Sequence, residues 1–309
     1  MKELRKKWYR FFKNEGKVCG ALFGIVLLGV LVIEFLSPGR LGTVDTGKYD
    51  IIMKEAGLKY TEDELQSDRP LTYDHVMEEY DYGHFSYTKL LAPSGIHSVI
   101  YPLSLIRAVT KPFGIKFSMK YLYLLYALLA AICVSVITRG ITEAWGAPLG
   151  VIAGVILIFL LADGNLNAYF GSLYDTGTVV MGLLLVMASL IRAFSYRKGK
   201  GFITIFPVIV SFLFLFNAST LSILFFPAAI WSGIILLKKE QKNFYHKKIA
   251  VFLITGLLVT GVSSSLRLIN ENPDMQSDAS VYSCAFQGFL EESDKPEKDL
   301  EYFGLDEDY

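Results

Sequence analysis

The chain has 309 residues, 52% of them hydrophobic and 19% charged, with a mean hydropathy of +0.40. That combination excludes a disordered polymer and is too apolar for an ordinary soluble domain. The 30 basic residues balance the 30 acidic ones, so no nucleic-acid partner is expected, but the neutral total conceals an unequal distribution along the chain.

A helix crosses the roughly 30 Å hydrocarbon core of a bilayer with about 20 apolar residues, because it satisfies its own backbone polar groups. Seven stretches reach or approach that length. The first covers residues 18–36 and carries Glu34 only at its far end. Its basic flank resembles that of a signal peptide, yet the run is long and Ser37, Pro38, Gly39 and Arg40 lack a small-residue cleavage pattern, so a retained anchor is expected. The second, third and fourth cover residues 119–137, 147–162 and 176–191. Residues 202–237 are too long for one span, and Asn217, Ser219 and Thr220 in their middle predict a hairpin of two helices. The seventh covers residues 249–266. The expected fold class is an all-α polytopic membrane protein of about seven transmembrane helices.

Lys and Arg in the connections set the orientation, since cationic loops resist translocation. Seventeen of the basic residues fall before the first span, at Arg139, between residues 192 and 200, and between residues 238 and 248. Only Glu3, Glu15, Glu143 and Glu240 accompany them, so this side is cytoplasmic and the carboxylates collect on the other. The expected organisation is a cytoplasmic N-terminus (1–17), a first span (18–36), an extracytoplasmic loop with an interfacial helix (37–118), a domain of six spans (119–266) and an extracytoplasmic tail (267–309). Cys19, Cys133 and Cys284 share no oxidising compartment on this topology, and no disulfide is expected.

Chemistry is therefore expected away from the cytoplasm. In the first loop, Thr46 can cap a short helix on which Asp50 and Lys54 are four apart, with Gly57 as its stop. Asp45, just before it, is either a second capping residue or a general base or cation ligand. Asp74, His75, Glu78, Glu79, Asp81 and His84 form a solvated acidic stretch; His75 and Glu79 on one helix face are compatible with a divalent metal but lack a third ligand. No cofactor is assigned. In residues 99–112, Ser104, Arg107 and Lys111 are spaced to line one face of an interfacial helix, either anchoring it to headgroups or holding a lipid-linked phosphate. Asp163 and Asp175 bracket the loop after the third span, where Tyr169, Phe170 and Tyr174 read as an interfacial aromatic belt or as a platform for a sugar or prenyl chain.

The segment ThrValAspThrGlyLysTyrAspIleIleMetLysGluAlaGlyLeu (43–58) resembles the opening loop of bacterial glycan-biosynthesis hexose transferases of the WsfD type, within the GT-C class. Residues 167–185, with AsnAlaTyrPheGlySerLeuTyrAspThrGly at their start, resemble that class's second acidic segment, and residues 293–306 a later one. Asp175 stands where Glu is usual, and the 216–220 turn lacks the expected basic residue. Members continue with further spans, so the resemblance implies a C-terminally truncated member.

What the resemblance implies is transfer of a hexose from a polyprenyl-phosphate donor to a cell-surface glycan acceptor at the outer face of the cell membrane. Asp45 and Asp175 are then the catalytic carboxylates, and Asp50, Arg107, Lys111, Tyr169 and Tyr174 the substrate-binding set. The alternative is a non-enzymatic multi-pass transport or assembly component of polysaccharide export. Its interrupted spans and paired midplane charges are not evident, because the ionisable groups lie at span ends.

Overall fold

A computed structural model of the chain describes residues 2–36, 49–61, 79–91, 97–173, 175–195, 202–239 and 244–271. It divides into a unit of residues 1–265 and a second of residues 266–309, whose described part, 266–271, is helical. Ten α-helices are present among the described residues. They are α1 (Lys2–Leu36), α2 (Tyr49–Ala56), α3 (Ile100–Thr110), α4 (Met119–Trp145), α5 (Ala147–Leu161), α6 (Gly164–Ala168), α7 (Asp175–Ser195), α8 (Phe202–Phe216), α9 (Phe226–Lys239) and α10 (Phe244–Glu271).

All seven apolar stretches are helical. Three of these helices, over Asn14–Leu36, Met119–Trp145 and Asp175–Ser195, are long and apolar enough to cross a membrane. The predicted break in residues 202–237 is real. Helix α8 ends at Phe216, Asn217 and Ala218 form a turn, and a 3₁₀ segment (Thr220–Phe225) leads into α9. Apolar side chains such as Ile25, Ile33, Val155 and Phe159 lie on the outside, a distribution suited to lipid and costly in water.

Helix α4 is the hub, packing on α1, α5 and α7, while α8 packs on the other side of α7. Small residues permit the closest of these contacts. Gly16, Gly20 and Gly24 recur every fourth position along α1, and a Cβ on Gly20 would lie 2.6 Å from the Ser135 carbonyl oxygen of α4. In lipid, where apolar burial drives association weakly, such close approach supplies the dispersion contact that holds helices together.

The all-α expectation needs one correction. Three short strands, β1 (Leu58–Lys59), β2 (Glu79–Tyr82) and β3 (Phe117–Ser118), form an antiparallel sheet in the first loop. Leu58 pairs with Tyr82 and Tyr80 with Phe117. Glu79, Tyr80, Asp81 and Tyr82 alternate acid and aromatic, and that period of two suits a strand with one face buried. Tyr80 and Phe117 are buried while Glu79 is exposed. The helix-face pairing of Glu79 with His75 therefore fails at Glu79, which is in a strand; His75 lies outside the described residues.

Strand β3 runs directly into α4, whose N-cap Ser118 accepts a hydrogen bond from the Lys120 amide at 3.3 Å. The loop subdomain is thereby mounted on the end of the hub helix. Helix α2 stops as expected at Gly57, whose φ of +65° favours glycine. Its carbonyl accepts from the Gly83 amide at 2.6 Å, closing the loop onto β2.

Candidate functional site

Three connections meet at one end of the helices. Near the C-terminal end of α1, the Leu31 carbonyl accepts a hydrogen bond from Tyr123 of α4 at 3.0 Å. One helical turn further along α4, the Tyr126 hydroxyl lies 3.1 Å from that of Thr178 at the start of α7. The loop residue Phe170 is wholly buried between them, its ring centroid 6.3 Å from Tyr123 and 5.8 Å from Tyr126. Phe170 is thus core, not interfacial belt, because its 3₁₀ segment (Tyr169–Gly171) tucks inward. Tyr169 remains half-buried, and its carbonyl approaches Gly177 so closely that α7 has no room for a side chain there. Tyr174 lies outside the described residues.

Above this aromatic floor sits a polar group. Asn167 is buried, with 5% exposure, and its side-chain nitrogen donates to the Glu34 carboxylate. The Asp163 charge is close enough to repel that of Glu34, and Asp163 and Asp175 are both exposed. Asp175 is in the first turn of α7, where a carboxylate interacts favourably with the helix dipole. Glu34 and Asn167 were not picked out as site residues from the sequence. The available signal was a carboxylate at the end of an apolar span, which is expensive unless it is partnered.

The loop subdomain is fastened to the same end. The Ser98 amide donates to the Asn217 carbonyl at 2.9 Å, and the Ser98 hydroxyl donates to the Phe214 carbonyl. Glu55 of α2 accepts from the His97 amide at 3.2 Å and lies 3.0 Å from its Nδ1. Of the predicted site residues here, Asp45 lies outside the described residues, and Asp50 is on α2.

Arg107 and Lys111 do not share the expected face. Helix α3 ends at Thr110, and Lys111 opens a short 3₁₀ turn (Lys111–Phe113) where it is exposed. Arg107 is 3% exposed and points into the subdomain. Its guanidinium donates to the carbonyls of Ala56 at 3.0 Å, Gly57 at 3.2 Å and Gly83 at 2.5 Å. It also lies 5.0 Å from the Tyr82 ring centroid and 5.2 Å from that of Phe85, within cation–π range. Burial lowers its pKa from the ordinary arginine value, with Tyr87 and Tyr82 opposing that shift. A guanidinium that donates to three backbone carbonyls is holding the α2–β1 and β2 termini together.

Tyr82 completes this knot with a 2.6 Å hydrogen bond to Thr110, whose hydroxyl also donates to Ile106. Burial raises the Tyr82 pKa above the ordinary phenol value, against smaller lowering by Thr110 and Arg107. The neutral phenol is the form the fold favours, so its stability contribution is intact below the ordinary tyrosine pKa. It is lost as pH rises from there through the raised value. Tyr82→Phe is expected to cost about 1 kcal/mol, one buried hydrogen bond. The substitution should also remove part of the alkaline fall in a pH series of thermal unfolding.

Among the described residues, no group of three or more His, Cys, Asp or Glu gathers as metal ligands would. Asp81 lies 3.7 Å from Lys116 in a surface ion pair, and His84 is exposed beyond β2.

The helices, their lipid-suited exteriors and the polar end define an integral membrane protein built on a helical transmembrane domain. The matching family description, over residues 5–309, is the YfdI N-terminal transmembrane domain, and the chain belongs to that family. No curated protein and no solved structure matches it.

Proposed function

We propose that the chain is a membrane glycosyltransferase of the GT-C class, related to the WsfD-type hexose transferases, that moves a hexose from a polyprenyl-phosphate donor to a cell-surface glycan acceptor. The observation that carries this reading is the convergence at one end of the helices. The first loop, the 162–175 connection and the 217 turn meet there with Glu34, Asp163 and Asp175, at the end of α1 opposite its basic N-terminus. The motif likenesses at residues 43–58 and 167–185 belong to two of those three connections. In this reading the helices make seven crossings, the N-terminus is cytoplasmic, and the convergent end faces outward.

The acceptor oxygen forms a bond to the anomeric carbon as the bond from that carbon to the phosphate oxygen breaks, and polyprenyl phosphate leaves. Asp45 takes the proton of the acceptor hydroxyl. Asp175 stabilises the oxocarbenium-like charge. Lys111, the exposed member of its pair with Arg107, meets the developing phosphate charge. Asp50, Tyr169 and Tyr174 bind substrate, and Arg107 acts by holding the first loop, which carries Asp50.

The test is hexose transfer from a polyprenyl-phosphate sugar by the purified chain in lipid, compared with Asp45→Asn and Asp175→Asn. Turnover is expected in the native chain and sharply reduced in both variants. Inactivity of the native chain with every hexose donor would sink the reading in favour of a transport or assembly role. Unchanged turnover in both variants would remove the assigned carboxylates.

A further inference from the structure

We propose that Glu34 and Asn167 form a subsite for one sugar residue, bound through adjacent hydroxyls, at the loop end of α1. The choice of a sugar rests on the glycosyl-transfer reading; the acceptor geometry does not. Asn167 is 5% exposed and gives its side-chain nitrogen to Glu34, while its backbone amide donates to the Asp163 carbonyl at 2.9 Å. The amide orientation is dictated by Glu34, because an ionised carboxylate only accepts. Its Oδ1 is consequently turned away from Glu34, buried and without a partner among the described residues. Buried amide oxygens are rarely left in that condition, and this one requires a hydrogen-bond donor that the described residues do not supply.

The missing donor belongs to a particular class. The half-buried Glu34 carboxylate retains lone pairs beyond the one used by Asn167, so the subsite presents acceptors side by side. One carboxylate and one amide oxygen would leave most of a divalent cation's six or more oxygen positions to water, and no group of three or more His, Cys, Asp or Glu gathers among the described residues. Neighbouring hydroxyls of a pyranose can each donate to one of the two acceptors. Half-buried Phe35, whose ring centroid is 5.2 Å from that of Tyr123, and half-buried Tyr169 provide apolar surface at the same end for the sugar's C–H face.

The experiment uses the full chain in lipid nanodiscs, titrated separately with the methyl pyranosides of glucose, galactose and mannose and with Ca²⁺, read by calorimetry and saturation-transfer NMR. At least one glycoside should bind. Glu34→Gln, which keeps size and folding but removes the charge, should weaken it by about tenfold or more, as expected for losing a charge-assisted hydrogen bond. Asn167→Leu should weaken it at least as much, and Glu34→Gln alone decides the matter if the leucine variant does not fold. Binding of none of the glycosides, equal binding by native chain and Glu34→Gln, or Ca²⁺ binding in place of glycoside would each overturn the subsite. Asp45→Asn separates the two ideas, since it should stop transfer yet leave glycoside binding unchanged. Glycoside binding that depends on Glu34, with no transfer from any donor, leaves the subsite standing and removes the reaction.

Discussion

Replacing Arg107 with leucine is expected to detach the first-loop subdomain by about 4 kcal/mol while the long helices stay intact. The estimate follows from what the side chain leaves behind. Hydrogen bonds to a charged group contribute about 1.5–3 kcal/mol each, and carbonyls deprived of their donor in a buried setting cost a further 1–3 kcal/mol. Three carbonyls, on Ala56, Gly57 and Gly83, accept from this one guanidinium, and of these Gly57 keeps the Gly83 amide as a second donor. Lysine is a poor substitute, since a single ammonium cannot reproduce the fork that reaches both chain segments or its stacking on Tyr82 and Phe85. Hydrogen exchange reads the outcome directly. Amides of residues 57–59 and 79–83 should lose protection in Arg107→Leu and in Arg107→Lys, while those of α4 keep theirs. Unchanged protection in both variants would show that the clamp does not hold the loop.

Gly20→Leu is expected to cost about 3 kcal/mol through the opposite fault, too much volume where two backbones touch. The Cβ of any larger residue meets the Ser135 carbonyl at 2.6 Å and the Arg139 Cβ at 2.9 Å. The nearer neighbour is backbone, and a helix can give way only by moving as a unit, so α1 and α4 must separate along the Gly16–Gly20–Gly24 ridge. Gly29, on the same helix, is the internal control, because a Cβ there meets nothing within 4 Å. Thermal unfolding in lipid should fall sharply for Gly20→Leu and barely shift for Gly29→Leu. Equal effects would mean that glycine matters along α1 for reasons other than close approach.

Parts of this architecture are readable without coordinates because their causes are local. The apolar runs become helices, the polar interruption at Asn217 becomes a turn, and Gly57 ends α2, each following from a few consecutive residues. The short sheet was hidden by its size: four residues of alternation in Glu79–Tyr82 are easily read as one polar stretch, and the strand becomes evident only when Phe117 and Leu58 pair with it. The place of Asp175 in the first turn of α7 was legible because it opens a span after an aromatic segment. Glu34 was visible as an oddity at a span end, but its partner was not, since Asn167 is 133 residues away.

The division has a physical basis. Lipid requires each backbone group to be satisfied within its own segment, so hydropathy along the sequence by itself determined a predominantly helical membrane protein with its carboxylates at or beyond the span ends. Side-chain meetings obey no such local rule. Only the tertiary structure decided that Arg107 turns inward to carbonyls 24 to 51 residues away, that Phe170 fills the floor beneath the loops, and that Asn167 reaches Glu34 with one buried oxygen still to be paired.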